Sequence, residues 1–279
     1  MTTEAATLRR IETAHPLRGL GGLLRVELRA WFPWRVLFLT IAGFGVFAML
    51  YLPVQAADDL QFGMLLFPFL GFWIAMLLLS TVSLTEGSVL GEIERGTASW
   101  LVGLPIGRPV VIVAKFLAAS SGIAATVFVT GTALYPILVD ASRWGVTEFR
   151  VSELSEVTGG PIGMWGRFAS LVDFGEWIVL LLAVSVFLMF VVAVMMLFGT
   201  VLRSRTAVFG LGLGVVGVFG GAALAGSFAA ASPAGLIRVI IDVAQSKTPS
   251  MMIPFAASLL WTALVLALAV SRFNRRELA

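Results

Sequence analysis

The chain has 279 residues, of which 59% are apolar and only 13% charged, with a formal net charge of +3 and a mean hydropathy of +0.99. So few charged groups cannot cover a soluble particle of this size, which excludes an ordinary water-soluble globule and makes lipid the solvent. The absence of cysteine excludes disulfides and thiolate metal sites. Only two of the 19 basic residues are lysines, a coding bias and not a nucleic-acid footprint, because the arginines lie at the edges of apolar runs.

The charged N-terminal tail has no signal-peptide pattern. An amphipathic helix is predicted over 17–34: Leu17, Leu20, Leu24, Leu28 and Trp31 recur at helical spacing while Arg18, Arg25 and Arg29 fall mainly elsewhere around it. Such a helix lies in the membrane interface, its aromatic end (Trp31, Phe32, Trp34) at the headgroups and its arginines toward anionic lipid. Apolar runs then follow at 36–52, 62–84, 110–139, 177–202, 207–231 and 251–270. Each can be a membrane-spanning helix, since about 20 residues cross the hydrocarbon and only a helix satisfies its own backbone there. The expected fold is an all-α polytopic membrane protein, one domain over 1–279 with six transmembrane helices.

Between the spans, 86–109 is too elaborate for a plain connector. The segments 140–176 and 232–250 read as outer loops, the second carrying a short outer or re-entrant helix through Leu236, Ile237, Ile240 and Ile241. The fifth span is rich in glycine, and Gly210/Gly214 and Gly217/Gly221 each repeat the small-xxx-small spacing that lets helices pack closely in lipid. That face is expected to meet another helix, more in keeping with a second subunit than with this chain's own spans.

Orientation follows the basic residues. With both termini in the cytoplasm, Arg9, Arg10, Arg18, Arg25, Arg29, Arg35, Arg95, Arg108, Lys115, Arg203, Arg205, Arg272, Arg275 and Arg276 lie inside, leaving Arg143, Arg150, Arg167, Arg238 and Lys247 outside. The loop 86–109 is then cytoplasmic.

Little chemistry is available to such a chain alone. His15 is the single histidine, no carboxylate sits mid-span, and no glycine-rich phosphate loop precedes either lysine. Catalysis, metal or cofactor binding and ATP binding by this chain are therefore not expected. Ion-coupled transport loses support for the same reason, because the buried ionisable residue it usually requires is missing. Lys115, about 9 Å past Pro109 at helical rise, is expected to snorkel back to the inner interface as an anchor.

Energy for transport would then arrive from outside, and the loop after the second span is the place for it. Glu86, the run Glu92-Ile93-Glu94-Arg95-Gly96-Thr97, Leu101, Pro105-Ile106, Arg108 and Lys115 resemble the segment between spans two and three of ABC-2 type transporter permeases of the type V exporter fold. The six-span layout and the N-terminal helix are similar to that family too. The resemblance implies a permease subunit in the cytoplasmic membrane that pairs with a second permease, identical or homologous, and with two ABC ATPase subunits holding ATP and Mg. It implies no nucleic-acid partner; lipids surround the spans. The region 86–104 would be the coupling helix docked on the ATPase: Val89, Leu90 and Ile93 form its apolar side, and Glu86, Glu92, Glu94 and Arg95 its charged rim. Gly96 permits a bend and Thr97 can cap a second short helix carrying Trp100 and Leu101. The implied function is export of an amphiphilic or apolar substrate such as a drug, lipid or lipid-linked molecule. The alternative is a carrier independent of ATP, or a membrane scaffold for a soluble partner.

Overall fold

In the computed structural model the described residues are 19–31, 59–94, 108–143, 174–225, 231–244 and 250–275. Among them every regular element is an α-helix: α1 (Leu20–Trp31), α2 (Asp59–Thr85), α3 (Gly87–Glu94), α4 (Arg108–Arg143), α5 (Phe174–Val201), α6 (Arg205–Ala225), α7 (Ala234–Ala244) and α8 (Met252–Arg275). Five of these, α2, α4, α5, α6 and α8, are long and apolar enough to cross a membrane. They coincide with five of the six expected spans; the expected span at 36–52 lies outside the described residues, as does most of the outer segment 140–176. Pro109 sits in the first turn of α4, where its missing N–H costs nothing.

The layout follows from where each helix is apolar. Helix α5 is apolar around its whole circumference, and a helix of that kind belongs in the middle. It packs against α2, α3, α4, α6, α7 and α8, and most of its side chains are buried. At the periphery α6 and α8 leave large side chains in the open, among them Leu211, Val218, Leu260 and Leu264. Open apolar side chains are stable only against lipid or another subunit.

Buried polar atoms in the spans are largely satisfied locally. Thr81, Thr126, Thr130 and Thr262 each donate to the carbonyl four residues earlier, at 2.7–2.9 Å. Two tryptophans tie the three inner helices together. The Trp73 indole N–H on α2 donates to Thr130 Oγ1 on α4 (3.2 Å), and the Trp177 N–H on α5 donates to the Gly131 carbonyl on α4 (3.1 Å). Their rings stack at 6.4 Å between centroids, and Tyr135 adds an edge contact to Phe174 at 5.2 Å. A buried indole demands such a partner for its N–H. Gly131 is required here because a Cβ would overlap Leu181 of α5.

Helix α7 buries Ala234, Leu236 and Val239. The Trp261 N–H donates to the Ala231 carbonyl at 3.1 Å, and Trp261 is about 13 Å of helical rise past Met252. The turn before α7 is thus tied to the third turn of α8. Ala231, expected to close the fifth span, belongs instead to the turn before α7.

Helix α1, the expected interfacial helix, is also packed against the bundle. Its apolar side, with Leu23, Leu24 and Leu28, packs on the bundle, and Trp31 is buried against α4. Gly122 makes room for the indole, since a Cβ there would overlap the ring. Glu27 meets Lys115 and Trp31 meets Gly122, so α1 climbs along α4 in the same direction. Arg25 and Arg29 face outward.

Candidate functional site

The short helix α3 is built onto the end of α2 by a single turn residue, Glu86, whose N–H still donates to the Val82 carbonyl at 3.0 Å. Thr85 Oγ1 donates to the Thr81 carbonyl at 2.6 Å, a back-bond of the kind that often bends helices, and Gly87 opens α3 two residues later. The turn at Glu86 thus keeps its backbone N–H bonded to α2 while marking the joint between the two helices.

One side of α3 faces inward. Val89 and Leu90 are 3% and 2% exposed and belong to the apolar core. The last turn of α5 approaches α3 closely because it carries Gly199: a Cβ there would lie 3.3 Å from Val89 Cβ and 3.7 Å from the Leu90 nitrogen. This corrects the expectation that Val89 and Leu90 offer an apolar surface to a partner. They hold α3 onto α5, because an apolar stripe is buried against whatever lies nearest, and here that is the chain's own span.

A second side of α3 carries Arg205, the first residue of α6. Its Nε and Nη2 both donate to Glu94 Oε2, at 2.8 and 2.6 Å. The guanidinium lies over the two glycines of the helix, its Nη1 3.9 Å and Nη2 3.3 Å from where a Cβ would sit on Gly87 and Gly91. Glu94 is therefore engaged within the chain. With both groups about two-fifths exposed, the pair stabilises the fold by only about 0.2–1 kcal/mol. What it fixes is position.

Of the other expected contact residues, Glu86 is half-buried at the α2–α3 joint, and Glu92 and Ile93 belong to α3 but their side chains lie outside the described residues. Arg95, Gly96, Thr97, Trp100 and Leu101 also lie outside them.

Lys115 is 7% exposed and its Nζ pairs with Glu27 Oε1 at 2.8 Å. It does not snorkel free to the interface; it binds the N-terminal helix to α4. Glu27 escaped the sequence reading, although its signal was visible as the lone acid of an arginine-bearing amphipathic helix. Arg205 was read only for its sign.

The glycines of α6 divide into two groups. At Gly212 a Cβ would overlap Met195 Sδ of α5 and lie 3.3 Å from Val82 of α2. At Gly210, Gly214, Gly217 and Gly221 a Cβ would meet no atom within 4 Å, so this stripe is open. Among the described residues no three His, Cys, Asp or Glu side chains converge as metal ligands.

These elements make a bundle that holds a short helix at one end and a bare small-residue stripe along one side. Against known proteins, the family model described as ABC-2 family transporter protein matches residues 58–278. No curated protein and no solved structure matches the chain.

Proposed function

The chain belongs to the ABC-2 family of transporter proteins, and we propose on that footing that it is the membrane permease subunit of an ATP-driven exporter, energised by two separate ATPase subunits that dock at the α3 end of the bundle. The observation that supports this best is the mounting of α3. It is bonded to α2 through Glu86, packed on α5 through Val89 and Leu90, and tied to α6 through Arg205, so any force applied to it reaches three spans at once. A plain connector needs no such fixing. The docking surface in this reading is made by Glu86, Glu92 and the following segment through Leu101, on the cytoplasmic side of the membrane.

The open stripe Gly210, Gly214, Gly217 and Gly221 is the contact with the second permease, since small residues allow the close backbone approach that replaces hydrophobic drive in lipid. The buried polar side chains of the spans are chiefly hydroxyls, which favours an amphiphilic or apolar cargo over a free ion.

Co-expression with candidate ATPases tests the proposal. An ABC ATPase is expected to remain bound through detergent purification and to hydrolyse ATP faster in the presence of the chain; Glu86→Arg with Glu92→Arg is expected to weaken both, by about tenfold for a loss of about 1.4 kcal/mol of contact energy. An ATPase that never co-purifies, or a double variant that behaves as wild type, would favour an ATP-independent carrier or a scaffold.

A further inference from the structure

We infer that Arg205 is a positioning residue for energy transfer: it latches α3 to the start of α6, so that movement of α3 is delivered to the α5–α6 hairpin. The inference rests on the docking role proposed for α3 and deepens it by naming the spans that receive the motion.

Three observations converge on this. First, Nε and Nη2 of one guanidinium both donate to one oxygen of Glu94, a fork that fixes orientation as well as distance. Second, Gly87 and Gly91 leave a trough along α3 in which that guanidinium lies; a Cβ at Gly91 would already sit 3.3 Å from Nη2, so a bulky side chain there would crowd it out. Third, α5 and α6 are joined by residues 202–204 only, and α5 grips the other side of α3 through Gly199, Val89 and Leu90. The hairpin thus holds α3 from both sides, by apolar packing on one and by an ion pair on the other. An exposed pair adds little to stability, so its retention of a defined geometry is the part that matters. Packing of Val89 and Leu90 holds α3 to α5, and the Arg205–Glu94 pair adds a separate, directional link from α3 to the start of α6.

The test uses the full chain with the ATPase that co-purifies with it, reconstituted in lipid nanodiscs. Arg205→Ala is expected to keep the ATPase bound and the melting behaviour near wild type, yet to cut chain-dependent stimulation of ATP hydrolysis by about fivefold or more. Gly91→Leu, which displaces the guanidinium without touching its charge, is expected to do the same. The charge exchange Glu94→Arg with Arg205→Glu is expected to restore stimulation. Full stimulation in Arg205→Ala with the ATPase bound would overturn the latch. So would a loss of ATPase binding in that variant which the charge exchange fails to repair, because Glu94 would then be a docking contact. If the wild-type chain binds no ATPase, the docking proposal itself fails and the latch falls with it.

Discussion

Gly212→Leu is expected to leave little folded protein, whereas Gly214→Leu with Gly217→Leu is expected to leave a folded chain that no longer self-associates. Only one residue lies between the first position and the second pair, but their surroundings are opposite. At Gly212 the first added carbon already overlaps Met195 Sδ and approaches Val82 Cγ1 to 3.3 Å, and both neighbours are fully buried. Met195 is a flexible side chain, but it is fully buried, so its movement has to displace packed neighbours. Overpacking of a close-packed interior costs about 1–3 kcal/mol, and a leucine that starts from an overlap belongs at or above the top of that range. At Gly214 and Gly217 the same side chain projects into open space. Its cost there falls on whatever partner approaches. Fluorescence-detected size-exclusion chromatography distinguishes the outcomes: aggregation or a lowered melting temperature for Gly212→Leu, and a monodisperse but smaller species for the double variant. A stable Gly212→Leu chain would refute the seating of α6 on α2 and α5, and unchanged assembly of the double variant would give the open stripe to lipid.

The second large effect is expected at Lys115. Lys115→Met removes the cation that faces Glu27 and leaves a carboxylate, only 18% exposed, against apolar helices. Breaking a fully buried pair from one side costs about 3–5 kcal/mol; Glu27 keeps some water, so the expected loss is smaller, about 2 kcal/mol. The loss is local, because it loosens the joint that seats Trp31 on Gly122. Trypsin reports it directly: Arg25 and Arg29 face outward on α1, and cleavage after them is expected to accelerate in Lys115→Met. Adding Glu27→Leu to Lys115→Met is expected to recover most of the protection, since replacing both members of a buried pair by apolar groups is close to neutral. Equal cleavage of wild type and Lys115→Met would mean that the pair does not hold α1.

The five described spans were legible because the bilayer leaves few choices: an apolar run of about 20 residues must be a helix. The expected 62–84, 110–139, 177–202, 207–231 and 251–270 correspond to α2, α4, α5, α6 and α8, with boundaries drifting by a few residues where helices project past the hydrocarbon. The candidate site was legible only as a segment. Periodicity found an apolar side on α3, but periodicity does not say whether that side meets another protein or the chain's own span, and for Val89 and Leu90 it is the span. The two ion pairs that matter join residues 88 and 111 positions apart, Glu27 with Lys115 and Glu94 with Arg205. No local pattern connects such positions. The same limit applies to α6, where small-xxx-small spacing singled out the open glycines but gave no hint that Gly212 is the one already filled.

The central claim, that an ATPase docks at the α3 end, is tested most directly by cross-linking. The chain has no native cysteine, so Glu86→Cys gives one thiol at the α2–α3 joint and Arg238→Cys gives one on the exposed side of α7 at the opposite end. Each is labelled with a short photo-cross-linker in the purified complex and the adducts are identified by mass spectrometry. The account predicts an ATPase adduct from position 86 and none from position 238; an adduct from 238, or none from 86 with the ATPase bound, would contradict it.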